Sequence, residues 1–85
     1  MPRLDPTAAQ WRHVEGEILG LDLRTEEYFA IKGSGVPLWE RLAEGATEEE
    51  LAALLAERYG LPVGTARADV TTFVTDLRER GLVQP

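Results

Sequence analysis

Residues 17–35 read EILGLDLRTEEYFAIKGSG, and within them a strand-like apolar pattern gives way to a helical one. Over Glu17–Leu23 the leucines recur at period two, which predicts a strand with its leucines on one face. A polar break at Arg24–Glu26 precedes Glu27–Ile31, whose aromatic and β-branched residues predict a further strand. The period changes at Lys32–Gly35, which therefore marks the boundary between a sheet and the helices that follow it.

The sequence before this stretch adds one more strand. Trp11–Val14 is short and rich in aromatic and β-branched residues, and Glu15-Gly16 is a turn signal. Connections this short join antiparallel strands. We therefore predict a three-stranded antiparallel meander in which the first and third strands are edges.

The sequence after this stretch predicts three helices. Their apolar residues recur at helical spacing, and the helices end at Gly45, Gly60 and Gly81. Thr47 and Glu50 form a capping box, which is the clearest local signal in the chain. The third helix has an apolar stripe made of Ala66, Val70, Phe73, Val74 and Leu77.

Strands grouped before helices indicate an α+β fold with the helices on one face of the sheet. The length of 85 residues predicts one small domain over 1–85, with frayed ends at 1–9 and 84–85. A chain of this size has room for a modest core and a shallow groove.

Composition excludes several classes of function. The 9 basic and 15 acidic residues give a net charge of −6, and no basic run is present, which argues against nucleic-acid and anionic-membrane partners. The absence of cysteine excludes disulfides and thiolate zinc sites. No apolar run is long enough to span a bilayer, and Met1–Pro6 lacks the apolar core of a signal peptide, so we expect a cytoplasmic protein.

Catalytic motifs are also missing from the sequence. His13, the single histidine, has no evident catalytic partner. A helix start explains the acidic run Glu48–Glu50 without a metal, and Gly33–Gly35 lacks the spacing and the lysine of a phosphate-binding loop. We therefore predict a protein that is not an enzyme, with no catalytic residue, metal or cofactor.

The predicted third strand has an unusual composition for an edge. Glu27–Ile31 is apolar apart from Glu27 and contains no proline, whereas edge strands usually carry charges or proline that prevent pairing with other chains. Either another element of the fold covers this edge, or a guest peptide pairs with it as an added strand.

One ordered set of residues resembles the PqqD family, the recognition elements that hold the leader peptides of ribosomally made natural products (RiPPs). The set consists of Trp11, Glu17-Ile18-Leu19, Leu21-Asp22, Tyr28-Phe29-Ala30-Ile31, Gly35, Leu38-Trp39, Leu42, Gly45, Thr47, Leu51, Tyr59-Gly60, Asp69-Val70, Phe73, Leu77 and Gly81-Leu82. It covers about residues 11–83, and it looks most like the stand-alone B1 type of lasso-peptide biosynthesis. One departure is Lys32-Gly33-Ser34, where the family usually has an Asn-Gly-like turn.

The resemblance implies a fold, a function and partners. The implied fold is winged helix-turn-helix-like, with a three-stranded antiparallel sheet followed by three helices. The implied function is a non-enzymatic adaptor, which binds a leader peptide as an added strand beside the third strand and against the third helix. The implied partners are a precursor whose leader carries a Tyr-x-x-Pro pattern, a B2-type leader peptidase and an ATP-dependent lasso cyclase.

The resemblance also assigns the peptide-binding residues. The predicted set is Glu27, Tyr28, Phe29, Ala30 and Ile31 on the strand, with Asp69, Val70, Thr72, Phe73, Asp76 and Leu77 on the helix.

Periodicity does not decide which flank of the third helix faces the peptide. One flank consists of Asp69, Thr72 and Asp76, and the other of Arg67, Thr71, Val74 and Arg78. We favour the acidic flank, with Phe73 and Leu77 as the floor. An acid there has three possible roles: accepting a hydrogen bond from a leader tyrosine, pairing with a basic leader residue, or remaining a solvated charge.

Two other functions stay open at this point. Winged helices often bind DNA, although a recognition helix with Asp69, Asp76 and Glu79 is poorly suited to it. The apolar edge strand would also serve a module that dimerises through strand pairing.

Overall fold

The computed structural model describes residues 1–84 and has the order βββααα. The elements are β1 (Ala9–Val14), β2 (Glu17–Asp22), β3 (Tyr28–Ile31), α1 (Gly35–Glu44), α2 (Glu48–Tyr59) and α3 (Val63–Glu79). The predicted fold of a three-stranded antiparallel sheet followed by three helices is confirmed.

The sheet has the strand order β1-β2-β3 with both pairs antiparallel, so β1 and β3 are its edges, as predicted. A two-residue turn joins β1 to β2, and its residues Glu15 and Gly16 have φ of 51° and 80°. Such left-handed turns match the twist of a hairpin. The β1 strand begins two residues earlier than predicted, at Ala9, which pairs with Asp22.

The face of β2 that packs against the helices is the one without leucines. Ile18 is fully buried there, whereas Leu19 and Leu21 on the other face are half-buried. Gly20 belongs to the buried face because the Phe29 ring of β3 lies directly over it. A Cβ on Gly20 would stand 2.1 Å from Phe29 Cζ, so only glycine fits under that ring.

Trp39 of α1 is the centre of the core. Its side chain is 1% exposed, and the rings of Trp11 and Phe29 pack on it with centroid distances of 5.8 and 5.5 Å. The α3 stripe is confirmed, since its members are buried except for the half-buried Phe73. Val74, which the sequence places both in the stripe and beside it, is fully buried and so belongs to the stripe.

The capping box at the start of α2 is confirmed. The Thr47 hydroxyl accepts the Glu50 N–H at 3.0 Å, and the Glu50 carboxylate accepts the Thr47 N–H at 2.9 Å. The bond that the Thr47 N–H donates to this carboxylate is the main cause that lowers the pKa of Glu50 below its usual value.

The predicted fraying of residues 1–9 is wrong. Leu4 is 6% exposed, its N–H donates to the Leu42 carbonyl at 2.9 Å, and it forms a β-bridge with Val83. The N–H of Gln84 donates to the Arg3 carbonyl at 2.8 Å, so the predicted fraying of 84 is wrong as well, while Pro85 lies outside the described residues. The two ends are ordered because each brings apolar side chains and backbone partners to the other.

Candidate functional site

The outer edge of β3 carries unpaired backbone groups. Hydrogen-bonded pairs alternate along an antiparallel ladder, and the N–H of Asp22 donates to the Glu27 carbonyl at 2.8 Å, which sets that alternation. Phe29 therefore bonds to β2, whereas Tyr28 and Ala30 point their N–H and C=O groups away from the sheet. This edge offers donors and acceptors for one more strand.

The β3 side chains alternate between the two faces of the sheet. Phe29 and Ile31 are half-buried and face the helices, while Ala30 is exposed and Tyr28 is 75% exposed on the opposite face. Glu27, predicted as part of the strand, lies just before it. A neighbouring strand would place alternate side chains beside Phe29 and Ile31.

Three cavities lie in a row along β3 and α3, and we call them together the β3–α3 groove. The first, about 190 Å³, lies at the β2–β3 turn; the second, about 110 Å³, lies between β3 and the end of α3; the third, about 450 Å³, lies between α3, α1 and α2. Phe29, Arg80 and Leu82 line both the first and the second, and Asp76 lines both the second and the third. The shared residues make the three cavities one continuous surface.

Gly35, which lines the third cavity, lets two side chains approach its backbone closely. A Cβ on Gly35 would stand 2.9 Å from Ile31 Cγ2 and 3.2 Å from Phe73 Cε1. The side chains of Ile31 and Phe73 therefore converge over Gly35. This contact joins the end of β3 to the middle of α3.

The structure brings most of the predicted α3 residues into this groove. Asp69, Thr72, Phe73 and Asp76 line the third cavity, and Leu77 lines the second although it is only 2% exposed. Val70 is different: it is 1% exposed, packs in the core and lines none of the three cavities.

The other flank of α3 faces α2. Arg67 Nη2 lies 3.6 Å from Glu49 Oε1, and the Thr71 hydroxyl donates to Glu48 at 3.2 Å. These side chains contact the second helix, whereas the acidic flank lines the third cavity. Its contact with the peptide stays a prediction.

The first two cavities contain two arginines. The Arg24 guanidinium donates to the Arg80 carbonyl at 2.7 Å, and Arg80 Nε lies 3.2 Å from Asp76 Oδ2. Asp22 accepts the N–H groups of Arg24 and Thr25, and these bonds lower its pKa. The groove is thus mixed in charge near the β2–β3 turn and acidic at its far end.

Sequence reasoning missed several residues that line the groove. They are Asp22, Arg24, Thr25, Ser34, Gly35, Leu38, Leu55, Arg80 and Leu82. Leu38 had a usable signal, since it lies four residues before Leu42 on the same helical face. Gly35 had none, because the need for glycine arises from Ile31 and Phe73, which are distant in sequence.

Residues 1–84 show neither a metal site nor a membrane-spanning helix. No three His, Cys, Asp or Glu side chains in this range are grouped as a metal site would require. No helix in the same range combines the length and the apolar character needed to cross a bilayer. What the described residues do provide is an open strand edge beside a groove, which suits an extended peptide.

Comparisons with known proteins point to one family. The family described as coenzyme PQQ synthesis protein D (PqqD) matches residues 17–83. No curated protein sequence matches the chain. Among solved structures, TbiB1 in complex with the TbiA(beta) leader peptide superposes with a TM-score of 0.87 at 26% identity, covering 96% of this chain and 94% of that one.

A second solved structure agrees with the first. A lasso peptide synthetase B1 complexed with its leader peptide superposes with a TM-score of 0.85 at 26% identity, covering 99% of this chain and 98% of that one. Neither comparison supports DNA binding or dimerisation through strand pairing.

Proposed function

Because this chain belongs to the PqqD family, we propose that it is a lasso-peptide adaptor that binds the leader peptide of a precursor. The observation that carries the proposal is the open β3 edge beside the β3–α3 groove, in a fold shared with two B1 proteins that bind leader peptides. The adaptor itself performs no chemistry. It holds the precursor for a leader peptidase of the B2 type and for a lasso cyclase.

The leader binds by strand addition. The N–H groups of Tyr28 and Ala30 donate to the peptide, and their carbonyls accept from it. Every second leader side chain then enters the groove beside Phe29 and Ile31 and rests against α3. Backbone hydrogen bonds supply affinity, and the groove supplies specificity.

Titration by fluorescence polarisation tests the binding. The probe is the labelled leader of the precursor gene that neighbours the gene for this chain, and we expect saturable binding with a Kd below about 100 μM. Phe73→Ala should weaken it, because Phe73 lines the third cavity. Tyr59→Ala, an aromatic truncation on α2 outside the groove, should not. Absence of saturable binding up to this concentration would overturn the proposal.

Amide hydrogen exchange tests the strand addition separately. The amides of Tyr28 and Ala30 should exchange more slowly once the leader is bound. The amides of Trp11 and His13 point outward from β1, as the bond from Leu23 to the Ala8 carbonyl implies, and should not change. If the leader binds and no protection appears at Tyr28 and Ala30, the adaptor role stands and strand addition is wrong.

A further inference from the structure

The third cavity of the groove has an apolar floor and an acidic rim. Its floor includes Leu38 and Leu55, which are 3% and 1% exposed, and the half-buried ring of Phe73. Its rim carries Asp69 and Asp76. They lie seven residues apart on α3, which is two helical turns, or about 10 Å along the axis.

Only one of the two carboxylates, that of Asp76, has a basic partner in residues 1–84. Asp76 forms an ion pair with Arg80, whose Nε lies 3.2 Å from Asp76 Oδ2. Asp69 is exposed and makes no ion pair or side-chain hydrogen bond with any residue of 1–84. No Lys or Arg of the described residues lines this cavity. An uncompensated negative charge therefore stands at the opening of an apolar cavity.

This combination favours one kind of side chain. The methylene stem of lysine or arginine covers apolar surface while its charged head stays at the rim. A head beside Asp69 forms an ion pair in which both partners are charged, whereas a tyrosine hydroxyl would donate to the carboxylate without neutralising its charge. Phe73 adds an aromatic ring on which a cation can lie.

We propose that the third cavity is a specificity pocket for a lysine or arginine side chain of the bound leader, with Asp69 as the ion-pair partner. The inference rests on the proposed function. The position of the cavity also predicts which part of the leader carries the basic residue. The cavity adjoins Gly35, beyond the Ile31 end of β3, so the residue belongs to the leader segment that passes Ile31 rather than Tyr28.

Paired peptide variants test the pocket. In the leader defined above, each position in turn is replaced by lysine or by norleucine, which has the same stem without the ammonium group. We expect one position at which lysine binds about tenfold more tightly than norleucine. Raising the salt from about 50 to about 500 mM should shrink that preference.

Two protein variants show whether Asp69 causes the preference. Asp69→Asn should reduce it to about twofold or less, and because Asp69 is exposed, the melting temperature should stay close to that of the parent. Glu57→Gln changes the net charge equally at an exposed α2 position outside the cavity and should leave the preference intact.

The outcomes separate this inference from the function on which it rests. If the leader binds but no position prefers lysine, or if the preference survives in Asp69→Asn, the pocket assignment is wrong and the adaptor role stands. A further peptide has tyrosine at the responsive position, and tighter binding of it than of the lysine peptide would also overturn the assignment, in favour of a phenol site. If no peptide of the set binds, the proposed function fails and the inference fails with it.

Discussion

The two edge strands of this sheet expose the same kind of backbone groups but differ in their side chains. β1 carries Arg12 and His13 on its edge, and His13 Nε2 lies 2.6 Å from Glu40 Oε2 of α1. β3 is the four-residue strand YFAI and carries no charge. Charged side chains hinder pairing with a further strand, so β1 has the protection that β3 lacks.

The surroundings of the two edges differ as well. Beside β1, Trp11 packs edge-on against Trp39, and the N-terminal residues Leu4 and Pro6 help to line the space next to these rings. Beside β3, the groove leaves room between the strand and α3. An edge becomes a binding site when it lacks charges and also has an adjacent wall that can contact the side chains of a guest.

Proline substitutions on the two edges test this comparison, and the one on β3 should have the largest effect on leader affinity of all the variants proposed. Ala30→Pro removes an outward N–H of β3 without touching the bonds to β2, and it leaves a carbonyl of the leader unpaired. We expect a loss of about hundredfold in leader affinity, or ~2.7 kcal/mol, by fluorescence polarisation.

Two controls accompany this variant. Ala30→Val keeps the N–H and should bind within about twofold of the parent. His13→Pro removes an outward N–H of β1 and should also leave the affinity unchanged within that range. Equal binding by Ala30→Pro and Ala30→Val would mean that the leader does not pair with β3.

The open β3 edge could be predicted from the sequence because the pattern that indicates it is local. Tyr28–Ile31 reads as an uncharged strand, and its place as the third strand of a meander makes it an edge. Asp69 and Asp76 of the acidic flank line the third cavity, and their contact with the peptide stays a prediction. The three cavities could not be predicted, since Gly35 meets Leu55 in the third, and Arg80 meets Phe29 in the first two, only after the chain folds.

The packing of the N-terminal segment around Leu4 was also not predicted from the sequence. Leu4 is a lone apolar residue between Arg3 and Asp5 and shows no periodicity. Its partners, Leu42 and Val83, are supplied by distant parts of the chain. Terminal segments without a pattern of their own are ordered by tertiary contacts, which propensity does not report.

Truncating Leu4 tests whether the region next to β1 serves stability rather than binding. Leu4→Ala removes a side chain that is 6% exposed and should lower the free energy of unfolding by about 2 kcal/mol, measured by urea denaturation. Leu23→Ala, at a site 42% exposed, should cost less than about 1 kcal/mol. Leader affinity should be unchanged in both. A large loss of affinity in folded Leu4→Ala would show that the two edges are not independent.

Gly35→Ala tests whether the region next to β3 serves binding, since it should lower leader affinity. The new Cβ of Gly35→Ala would meet Ile31 and Phe73 and displace them into the third cavity, so we expect leader affinity to fall about fivefold, or ~1 kcal/mol. Gly64→Ala is the matched control, because a Cβ there meets no atom within 4 Å. It should raise stability by about 0.5–1 kcal/mol without changing affinity. Unchanged affinity in Gly35→Ala would mean that the leader does not reach this end of the groove.

The smallest expected effect concerns the turns that lead into β2 and β3. Both turns contain residues with positive φ, namely Glu15 and Gly16 in the β1–β2 turn and Glu26 in the β2–β3 turn. The β2–β3 turn is also held by the Asp22 carboxylate, which accepts N–H groups at 2.9 and 3.2 Å. Because these bonds lower the pKa of Asp22 in the folded state below its usual 3.8, its contribution to stability is present above that value and is lost as the pH falls through the lower folded pKa. Asp5 and Glu50 also have lowered pKa values and contribute with the same sign.

Asp22→Asn keeps an acceptor oxygen but does not titrate, so its stability should fall less than that of the parent between about pH 5 and about pH 2. Urea midpoints followed by tryptophan fluorescence across this range measure the difference. Glu57→Gln, which removes an exposed carboxylate outside the turn, should follow the parent curve. If Asp22→Asn loses as much stability as the parent on acidification, the carboxylate does not hold the turn, and the two turns differ in sequence but not in what stabilises them.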